Sequence, residues 1–377
     1  MLPSEPTHPP EATSELEHAL VEETLRLCAI ASVTGDERAA ADYVEAELRK
    51  TPYAIERVGD TVLARSPSRT NAQGPDERPL ILLVGHTDTV PPKPGDGPPR
   101  LEAGRVIGLG ASDMKSGLAV MLELARRLDP ARLNAQLGFV FYDKEEGPWA
   151  LSGLGPTLEA SPWLHEAALA FCLEPSDNDV QVGCLGSLHA KVTLLGRAAH
   201  SARPWQGTNA IHAAGALLVA LGQRAPIDHM LDGHLFREVI SATLAQGGRT
   251  RNVIPDRIEL NLNYRFAPGR TLESAEAELR DFVASNVQVE FTLELPERAP
   301  SGVVVTHNVH LQRFLAVNGN KVTAKQAWTD VARLGQAGID AVNFGPGESA
   351  QAHQAGESTA VRLIVESYAQ FRLFFGA

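Results

Sequence analysis

Two histidines and four acidic residues of this sequence are candidates for chemistry, because most of them directly follow an apolar run. They are His86, Asp113, Glu145, Glu146, Glu174 and His353. Imidazole and carboxylate ligands without a cysteine suit a borderline cation such as zinc at an exposed catalytic site. The same ligands can hold manganese or cobalt. The set therefore predicts a metal and leaves its identity open.

His86 ends an apolar run over residues 80–84 that predicts a strand buried on both faces, as in a parallel sheet covered by helices. Ligands bind beyond the carboxyl ends of such strands, which is where His86 stands. Asp88 follows two positions later, and residues two apart in extended chain share a face. Its carboxylate could accept the second N–H of a metal-bound imidazole. The alternative is a buried, hydrogen-bonded histidine at a strand end.

The other acids also have alternatives without chemistry. Asp113 stands at a predicted loop-to-helix junction, where aspartate is a common N-terminal cap. Glu145 and Glu146 follow a predicted strand. Neighbouring glutamates at a strand end point in different directions, so one can bind a metal while the other addresses a bound water. The alternative for such a pair is a solvated loop.

The elements that must position these residues follow a repeated order of strand, acid and helix. Apolar runs at 136–142 and 167–173 predict two further buried strands. Apolar residues at helical spacing predict helices over 15–30, 36–48 and 118–128. This order predicts a doubly wound α/β sheet. Since each candidate acid lies just past the carboxyl end of a strand, the pattern predicts a single site.

The middle of the chain has a different pattern. Apolar and polar residues alternate strictly over 258–264 and 287–295, which predicts antiparallel strands with one face in water. With two intervening helices the order becomes β-α-β-β-α-β, that of a ferredoxin-like sheet. We therefore predict a disordered tail over 1–16 and a catalytic domain over 17–186 and 301–377. An inserted lid and dimerisation domain is predicted over 187–300.

Composition excludes several classes of protein. The formal net charge of −12 over 377 residues argues against a nucleic-acid partner, which would require a basic face. Cys28, Cys172 and Cys184 form no paired framework, so a reducing compartment, by default the cytoplasm, is expected. The N-terminus does not have the pattern of a signal peptide, and no apolar run is long enough to span a bilayer. No membrane partner is expected.

Several ordered motifs resemble those of the co-catalytic zinc aminoacylase/carboxypeptidase family, from about residue 17 to the end of the chain. Those around the candidate site are GHTDTVP at 85–91, GASDMKSG at 110–117, EEG at 145–147 and GRAAHS at 196–201. Further matches are NVIP at 252–255, NYRFAP at 263–268, WTD at 328–330 and NFGPG at 343–347. One departure is the Asp143-Lys144 pair before the glutamates, where many relatives have Thr-Asp or a similar acidic lead-in.

The resemblance implies two zinc ions per subunit, with cobalt or manganese as substitutes. Asp113 would bridge them, His86 and Glu174 would complete one site, and Glu146 and His353 would complete the other. The family's bridging aspartate commonly precedes a cis peptide bond, here between Asp113 and the residue after it.

The resemblance also assigns roles to residues that bind no metal. Glu145 would be general base and later general acid, and Asp88 would orient the neighbouring histidine ligand. His200 matches a histidine that reaches into the partner subunit's active site and stabilises the oxyanion, so a homodimer is implied. Asn252 and Arg265 match substrate-binding positions.

The reaction implied is hydrolysis of an acylated amino acid, and the substrate expected is N-succinyl-L,L-diaminopimelate. Its carboxylates require guanidinium donors, and Arg265 supplies one. The nearest alternative is a deacylase acting on acetylornithine or another N-acyl amino acid. Glu174, where aminopeptidases of the family have aspartate, fits the deacylase and carboxypeptidase side. A non-catalytic metal-binding protein is the alternative from another class, but it would have no use for Glu145.

Overall fold

The structure is a computed structural model that describes residues 10–68 and 76–377. Within these residues the strands, in chain order, are β1 (Ala54–Val58), β2 (Thr61–Arg65), β3 (Leu80–His86), β4 (Arg100–Glu102), β5 (Arg105–Ile107), β6 (Gln136–Tyr142), β7 (Ala167–Cys172), β8 (Val180–Val182), β9 (Gly186–Leu195), β10 (Ala199–His200), β11 (Ile227–Leu231), β12 (His234–Gly247), β13 (Val253–Ile254), β14 (Arg257–Phe266), β15 (Phe291–Ala299), β16 (Val322–Ala324), β17 (Ala341–Asn343) and β18 (Ser358–Ala360).

The helices of the same described residues are α1 (Pro10–Ala29), α2 (Arg38–Leu48), α3 (Ser116–Arg127), α4 (Leu154–Ala160), α5 (Ala210–Ala213), α6 (Gly215–Gln223), α7 (Leu272–Asn286), α8 (Val309–Asn318), α9 (Val331–Gln336) and α10 (Val361–Phe375). The chain divides into two compact units. The first comprises the described part of Met1–Val182 with Val305–Thr323 and Arg333–Ala377, and the second comprises Gly183–Val304 with Ala324–Ala332.

The first unit is built on a large sheet with the strand order β1-β2-β6-β3-β7-β17-β8-β16. Its centre is parallel, because β3 pairs in parallel with β6 and β7, and β7 with β17. Every residue of β3 and β6 is buried, as their continuous apolar sequences predict. The predicted doubly wound α/β fold is confirmed.

Helix α3 lies close against β3 just before the strand reaches His86. A Cβ atom at Gly85 would stand 2.6 Å from both the Leu118 Cδ2 and the Met114 Cε atoms. A larger residue at 85 would therefore force the ends of the Leu118 and Met114 side chains to move. The close packing places the turn before α3 beside the end of β3.

A cluster of buried phenylalanines packs α8 and α10 against the large sheet. Phe171 of β7 lies 4.8 Å from Phe314 of α8 and 5.4 Å from Phe371 of α10, measured between ring centroids. Phe344 and Phe374 complete the cluster, and all five side chains are at most 1% exposed. Such aromatic pairs add about 0.5–1.5 kcal/mol each beyond the burial of apolar area. The cluster holds α10 against β7, which ends two residues before Glu174.

The second unit contains an antiparallel sheet with the strand order β11-β12-β14-β9-β15. Without β11 and the short strands β10 and β13, its chain order is the predicted β-α-β-β-α-β. Alternate residues of β14 are buried, and they form a core with α6 and α7 that includes Leu217, Leu262 and Leu279. The predicted ferredoxin-like arrangement is confirmed, and β11 extends it by one strand at the edge.

Some predicted boundaries were wrong. Helix α1 begins at Pro10, so the predicted tail over 1–16 is helical from that residue, and residues 1–9 lie outside the described part. Proline is tolerated in the first turn, where its missing N–H would have no helical partner. The strand predicted from residue 287 begins at Phe291, because residues 287–290 connect it to α7, which ends at Asn286.

The predicted domain limits, 17–186, 187–300 and 301–377, stay a prediction. In the structure the second unit also includes Ala324–Ala332, which the sequence pattern had assigned to the catalytic domain. No helix among the described residues is both long enough and apolar enough to cross a bilayer.

Candidate metal centre

Three adjacent parallel strands bring most of the candidate residues to one edge of the large sheet. His86 is the last residue of β3, Glu145 and Glu146 follow β6, and Glu174 follows β7. Because β6, β3 and β7 are neighbours and run the same way, their carboxyl ends meet. Asp113 reaches this edge from the turn that precedes α3.

The side-chain donor atoms form three groups in which all ligand atoms lie within 4.8 Å of one another. One contains His86, Asp113 and Glu174, and another contains Asp113, Glu146 and His353. These two have the members of the two predicted metal sites, and they share Asp113. The third adds Glu145 to His86 and Glu146. The structure thus brings together all six candidate residues of the first unit.

The two ring nitrogens of His86 face different partners. Its Nε2 lies 3.2 Å from Asp113 Oδ1 and 4.0 Å from Glu174 Oε1. Its Nδ1 lies 3.1 Å from the Asp88 carbonyl oxygen, to which an Nδ1–H can donate. Burial, the largest influence, lowers the pKa of His86, but hydrogen bonds to Asp113 and Asp88 outweigh it and raise the pKa well above 6.5. Because Nδ1–H can donate to the Asp88 carbonyl, the neutral ring, which is the form that binds a cation, presents the lone pair of Nε2 to Asp113 and Glu174.

Asp88 holds the turn that carries the two glutamates. Its Oδ1 accepts the backbone N–H of Glu145 and its Oδ2 that of Glu146, each at 3.0 Å. The Thr34 hydroxyl donates to Oδ2 at 2.9 Å. Burial is the largest influence on the pKa of Asp88 and raises it, but His86 and these two backbone N–H groups outweigh burial and hold the pKa below its usual range. Asp88 belongs to none of the three donor groups.

Asp113 does not cap a helix. It lies in a turn over Ala111–Lys115 with the extended dihedrals φ −119° and ψ 90°, and α3 has no side-chain hydrogen bond at its N-cap. The peptide bond from Asp113 to Met114 is cis, as the resemblance implies. The carboxylate is left to face His86 and His353.

His353 is more exposed than the other candidates. Its Nε2 lies 2.9 Å from Glu146 Oε1 and 3.6 Å from Asp113 Oδ2, and its side chain is 49% exposed. The hydrogen bond to Glu146 is the largest influence on its pKa and raises it. The backbone at His353 has a left-handed φ of 59°, and its carbonyl accepts a hydrogen bond from Lys93 Nζ. His353 thus contacts Glu146 from a loop whose residues are exposed or half-buried.

The donor set fits a pair of divalent cations. Carboxylates this close repel one another, and the repulsion is strong where surrounding protein excludes water. Two imidazoles and several carboxylates are a combination that zinc, manganese and cobalt accept. The side chains of His86 and Glu174 are 0% and 7% exposed, so their donor atoms are held in place by packing. The residues present therefore suit the implied metals.

The remaining predicted site residues lie in the second unit. His200 ends β10 and pairs with Val253, and the N–H of Ser201 donates to the carbonyl of Asn252 at 2.9 Å. His200 and Asn252 are thus neighbours, and both are exposed. Arg265 lies on β14 and donates from Nε to Asn263 Oδ1 at 2.9 Å. The roles predicted for these three residues stay predictions.

Two residues of the site were not predicted from the sequence. Thr34 lies between α1 and α2 and donates to Asp88. Glu357 is 2% exposed and accepts backbone N–H groups of the turn that carries Asp113. Burial raises the pKa of Glu357 to about 7, although these N–H groups act to lower it. No spacing rule identifies either residue, because their partners are distant in sequence.

A parallel α/β sheet that gathers imidazoles and carboxylates beyond its strand ends is an arrangement of metal-dependent hydrolases. A family model described as Peptidase family M20/M25/M40 matches residues 82–374, and the chain belongs to this family. Hydrolysis of amide bonds is the chemistry of that class.

Two relatives cover nearly the whole chain. A protein of Mycobacterium tuberculosis provisionally named succinyl-diaminopimelate desuccinylase DapE is 38% identical over 94% of this chain and 98% of its own length. The succinyl-diaminopimelate desuccinylase of Corynebacterium glutamicum is 35% identical, over 91% of this chain and 92% of its own.

Solved structures share the fold at lower identity. A tripeptidase of Staphylococcus aureus matches with a TM-score of 0.77 at 20% identity, covering 95% of this chain and 97% of that one. The YXEP protein of Bacillus subtilis, described as a dinuclear metal binding peptidase from the M20 family, matches with a TM-score of 0.66 at 16% identity. It covers 95% of this chain and 97% of that one.

Proposed function

We propose that the protein is a metal-dependent amide hydrolase that removes succinate from N-succinyl-L,L-diaminopimelate. It would act in diaminopimelate and lysine biosynthesis. The observation that carries the amide hydrolysis is the pair of donor groups that share Asp113, with Glu145 in the group beside them. The names of relatives 35–38% identical over nearly the full chain support the substrate.

Five side chains would hold two divalent cations, zinc first and cobalt or manganese as substitutes. They are His86 and Glu174 at one cation, Glu146 and His353 at the other, and Asp113 between them. When bound, such a pair polarises a carbonyl oxygen and lowers the pKa of a water molecule. The dinuclear YXEP protein, which has the same fold, supports two cations rather than one.

Glu145 is the proton carrier in this proposal. It lies in a donor group with His86 and Glu146, yet the two cations already have their ligands without it. Its carboxylate takes a proton from the attacking water and later returns it to the leaving amine. Asp88 supports this role, because its carboxylate fixes the backbone N–H of Glu145 at 3.0 Å.

Arg265 is proposed to bind a carboxylate of the substrate. Its guanidinium is half-buried on β14, where burial lowers its pKa. Nε donates to Asn263, and no hydrogen bond from its two terminal nitrogens is found within the described residues. A partly desolvated guanidinium with free donors suits a bidentate carboxylate. Asn252 would donate a further hydrogen bond to the substrate.

The substrate is tested by comparing kcat/KM for succinyl-diaminopimelate with kcat/KM for acetylornithine. The proposal expects the succinylated substrate to be faster by at least tenfold. A higher value for acetylornithine would replace the proposed substrate with that of another deacylase. Arg265→Lys should raise KM more than it lowers kcat, since lysine lacks the planar pair of donors.

The variant Glu145→Ala tests whether the protein is an enzyme or a non-catalytic metal-binding protein. Loss of general acid-base catalysis costs about 10²–10⁴-fold in rate, while the predicted ligands are left in place. We expect release of succinate to be sensitive to chelators and to fall by this amount in the variant, with metal content unchanged. If the wild-type protein is fully occupied by metal but hydrolyses no acylated amino acid, it is a non-catalytic metal-binding protein and the proposed function is wrong.

The homodimer is proposed to form through the second unit. Strand β11 pairs with β12 only as far as Glu238, so the rest of β12 forms an edge with β14 on one side. Exposed apolar residues lie on this strand and on α6, namely Leu244 at 71%, Val219 at 56% and Leu218 at 41% exposed. An open edge of this kind pairs readily with another strand, and a second copy pairs with it by two-fold symmetry.

The dimer gives His200 its proposed role, stabilisation of the oxyanion in the partner subunit's active site. Mixing Glu145→Ala and His200→Ala subunits should then restore part of the activity, because one site of each mixed dimer is intact. If mixing restores no activity, His200 acts in the active site of its own chain. A cytoplasmic location remains part of the proposal.

A further inference from the structure

Glu357 joins the two chain segments that carry Asp113 and His353. Its Oε1 accepts the backbone N–H groups of Ser112 at 2.7 Å and Asp113 at 2.8 Å, and its Oε2 accepts that of Gly110 at 3.0 Å. Successive N–H groups of a turn form a concave site for an anion, and here a side chain of the same protein fills it. Hydrogen bonds to a charged carboxylate are stronger than neutral ones.

The contacts around Glu357 extend this connection in both directions. The Ser112 hydroxyl donates to the carbonyl of Glu348 at 2.9 Å, and the Thr359 hydroxyl donates to the carbonyl of Ala111 at 2.7 Å. The residues flanking His353 on both sides are thus bonded to the turn of Asp113. His353 lies between these attachments on an otherwise exposed loop.

The local sequence does not hold His353 in place by itself. Its side chain is 49% exposed, and its neighbours from Ala352 to Gly356 are half-buried or exposed. The buried part of the segment begins at Glu357, which is 2% exposed. Lys93 Nζ donates to the His353 carbonyl, and the N–H of Gly356 donates to Asp96 Oδ1 at 2.9 Å, but neither contact reaches the turn of Asp113. The hydrogen bonds that join the His353 segment to that turn are those of the Glu357 carboxylate and the weaker attachments at Glu348 and Thr359.

We propose that Glu357 is a positioning residue for cation binding: it sets the distance between Asp113 and His353 and thereby makes them ligands of one cation. The inference rests on the proposed function, in which both residues bind metal. Glu357 itself touches neither cation nor substrate in this scheme.

The test is a calorimetric titration of Co²⁺ into chelator-treated wild-type protein and into Glu357→Gln, with the cobalt absorption spectrum recorded alongside. Glutamine has nearly the same shape, but its NH₂ group would oppose the N–H of Gly110, donor against donor. Loss of a group that orients a ligand typically costs about 10–100-fold in metal affinity. We expect a loss of this size, greatest for the cation bound by His353, and a changed cobalt spectrum.

Glu348→Gln is the matched control. Glu348 lies on the same segment, and its carboxylate pairs with Arg105 and accepts the N–H of Ala360 at 3.1 Å. Its substitution loosens the segment but leaves every bond to the turn of Asp113 intact. We expect a lower unfolding temperature with an unchanged cobalt affinity. An equal loss of affinity in both variants would show a general loosening and overturn the inference.

Two further results separate failure of the inference from failure of the proposed function. Wild-type protein that binds no Co²⁺ would contradict the proposed function itself. Folded Glu357→Gln that binds two Co²⁺ ions with affinities within twofold of the wild type would overturn the role of Glu357 alone.

If Glu357→Gln does not fold, hydrogen exchange of the wild-type protein provides the test. The amides of 110–113 and those of 353–357 should gain protection together as Co²⁺ is added, because one carboxylate connects them. Protection of one segment at a Co²⁺ concentration that leaves the other unchanged would contradict the inference.

Discussion

At the scale of single residues, the candidate site depends on carboxylates that accept backbone N–H groups. Asp88 accepts those of Glu145 and Glu146, and Glu357 accepts those of the turn that carries Asp113. The direction of a backbone N–H is fixed by the main chain. A carboxylate that accepts it therefore helps to determine the position of the functional residue that carries the N–H.

Asp88→Asn should weaken metal binding without emptying the site. The substitution removes the charge that faces His86 and places an NH₂ group against a backbone N–H. We expect a loss of about 10–100-fold in metal affinity, measured by calorimetric titration, and a fall in kcat of at least tenfold. Asp228→Asn is the control, because Asp228 is an exposed partner of Arg237 in the second unit. An unchanged affinity in Asp88→Asn would show that the carboxylate of Asp88 does not orient His86.

Cys184 should resist alkylation in the folded protein. It is fully buried, and burial raises the pKa of its thiol to about 11 from the usual 9.0. The thiol therefore stays protonated in the native state at pH 8, and the reactive thiolate is scarce. Iodoacetamide at pH 8 should label Cys184 at least tenfold more slowly in native than in unfolded protein, measured by peptide mass spectrometry.

The same shift sets the sign of a pH effect on stability. Between about pH 9 and pH 11 the unfolded thiol of Cys184 is ionised while the folded one holds its proton. The contribution of Cys184 to stability is therefore complete below pH 9 and decreases as the pH rises through this range. Cys184→Ala should flatten this part of the stability profile. In the iodoacetamide experiment, a labelling rate of the native protein equal to that of the unfolded protein would contradict the burial of the thiol.

At the scale of elements, the strength of a sequence pattern determined what could be predicted. Strand β6 was predicted with its observed limits, because all seven of its residues are buried and those after Gln136 contain no polar side chain except the Tyr142 hydroxyl. Strands β4, β5 and β18 were not predicted, since three residues are too few to show a period. The three form one sheet with β5 in the middle, and β18 begins one residue after Glu357. Glu357, one of the two site residues that the sequence did not predict, thus lies beside a strand that the sequence did not predict either.

Helix α10 offers a test of how the large sheet is covered. Phe371 is fully buried among aromatic side chains, whereas Leu373 on the same helix is 57% exposed. Phe371→Ala should lower the free energy of unfolding by about 3–5 kcal/mol, because a cavity remains where the ring was. Leu373→Ala should change it by less than about 0.5 kcal/mol. Urea unfolding of both variants measures the difference, and equal effects would contradict the packing described for α10.

At the scale of the whole molecule, the sequence predicted the candidate ligands more completely than their supports. His86, Glu146 and Glu174 follow apolar runs, so one local signal marked them all. Glu357 accepts a hydrogen bond from Ser112, which lies 245 positions away in the sequence, and such a contact produces no pattern in the residues around either position. The doubly wound sheet was predictable because its strands repeat one pattern.

The assembly is tested by charging the exposed apolar residues of the second unit. The double variant Leu218→Arg and Leu244→Arg places charges on α6 and β12, and we expect it to be a monomer by light scattering. The wild-type protein at the same concentration should be a dimer. Leu373→Arg, at a comparably exposed leucine of the first unit, should leave the mass unchanged. A monomeric wild-type protein would contradict the proposed dimer.

Asp88 has a consequence for engineering this scaffold. Because it contacts main-chain atoms of residues 145 and 146, its hold on that turn does not depend on which side chains the two residues carry. Libraries that vary residues 145 and 146 should therefore change the functional groups offered at the strand edge while the backbone that presents them stays where it is.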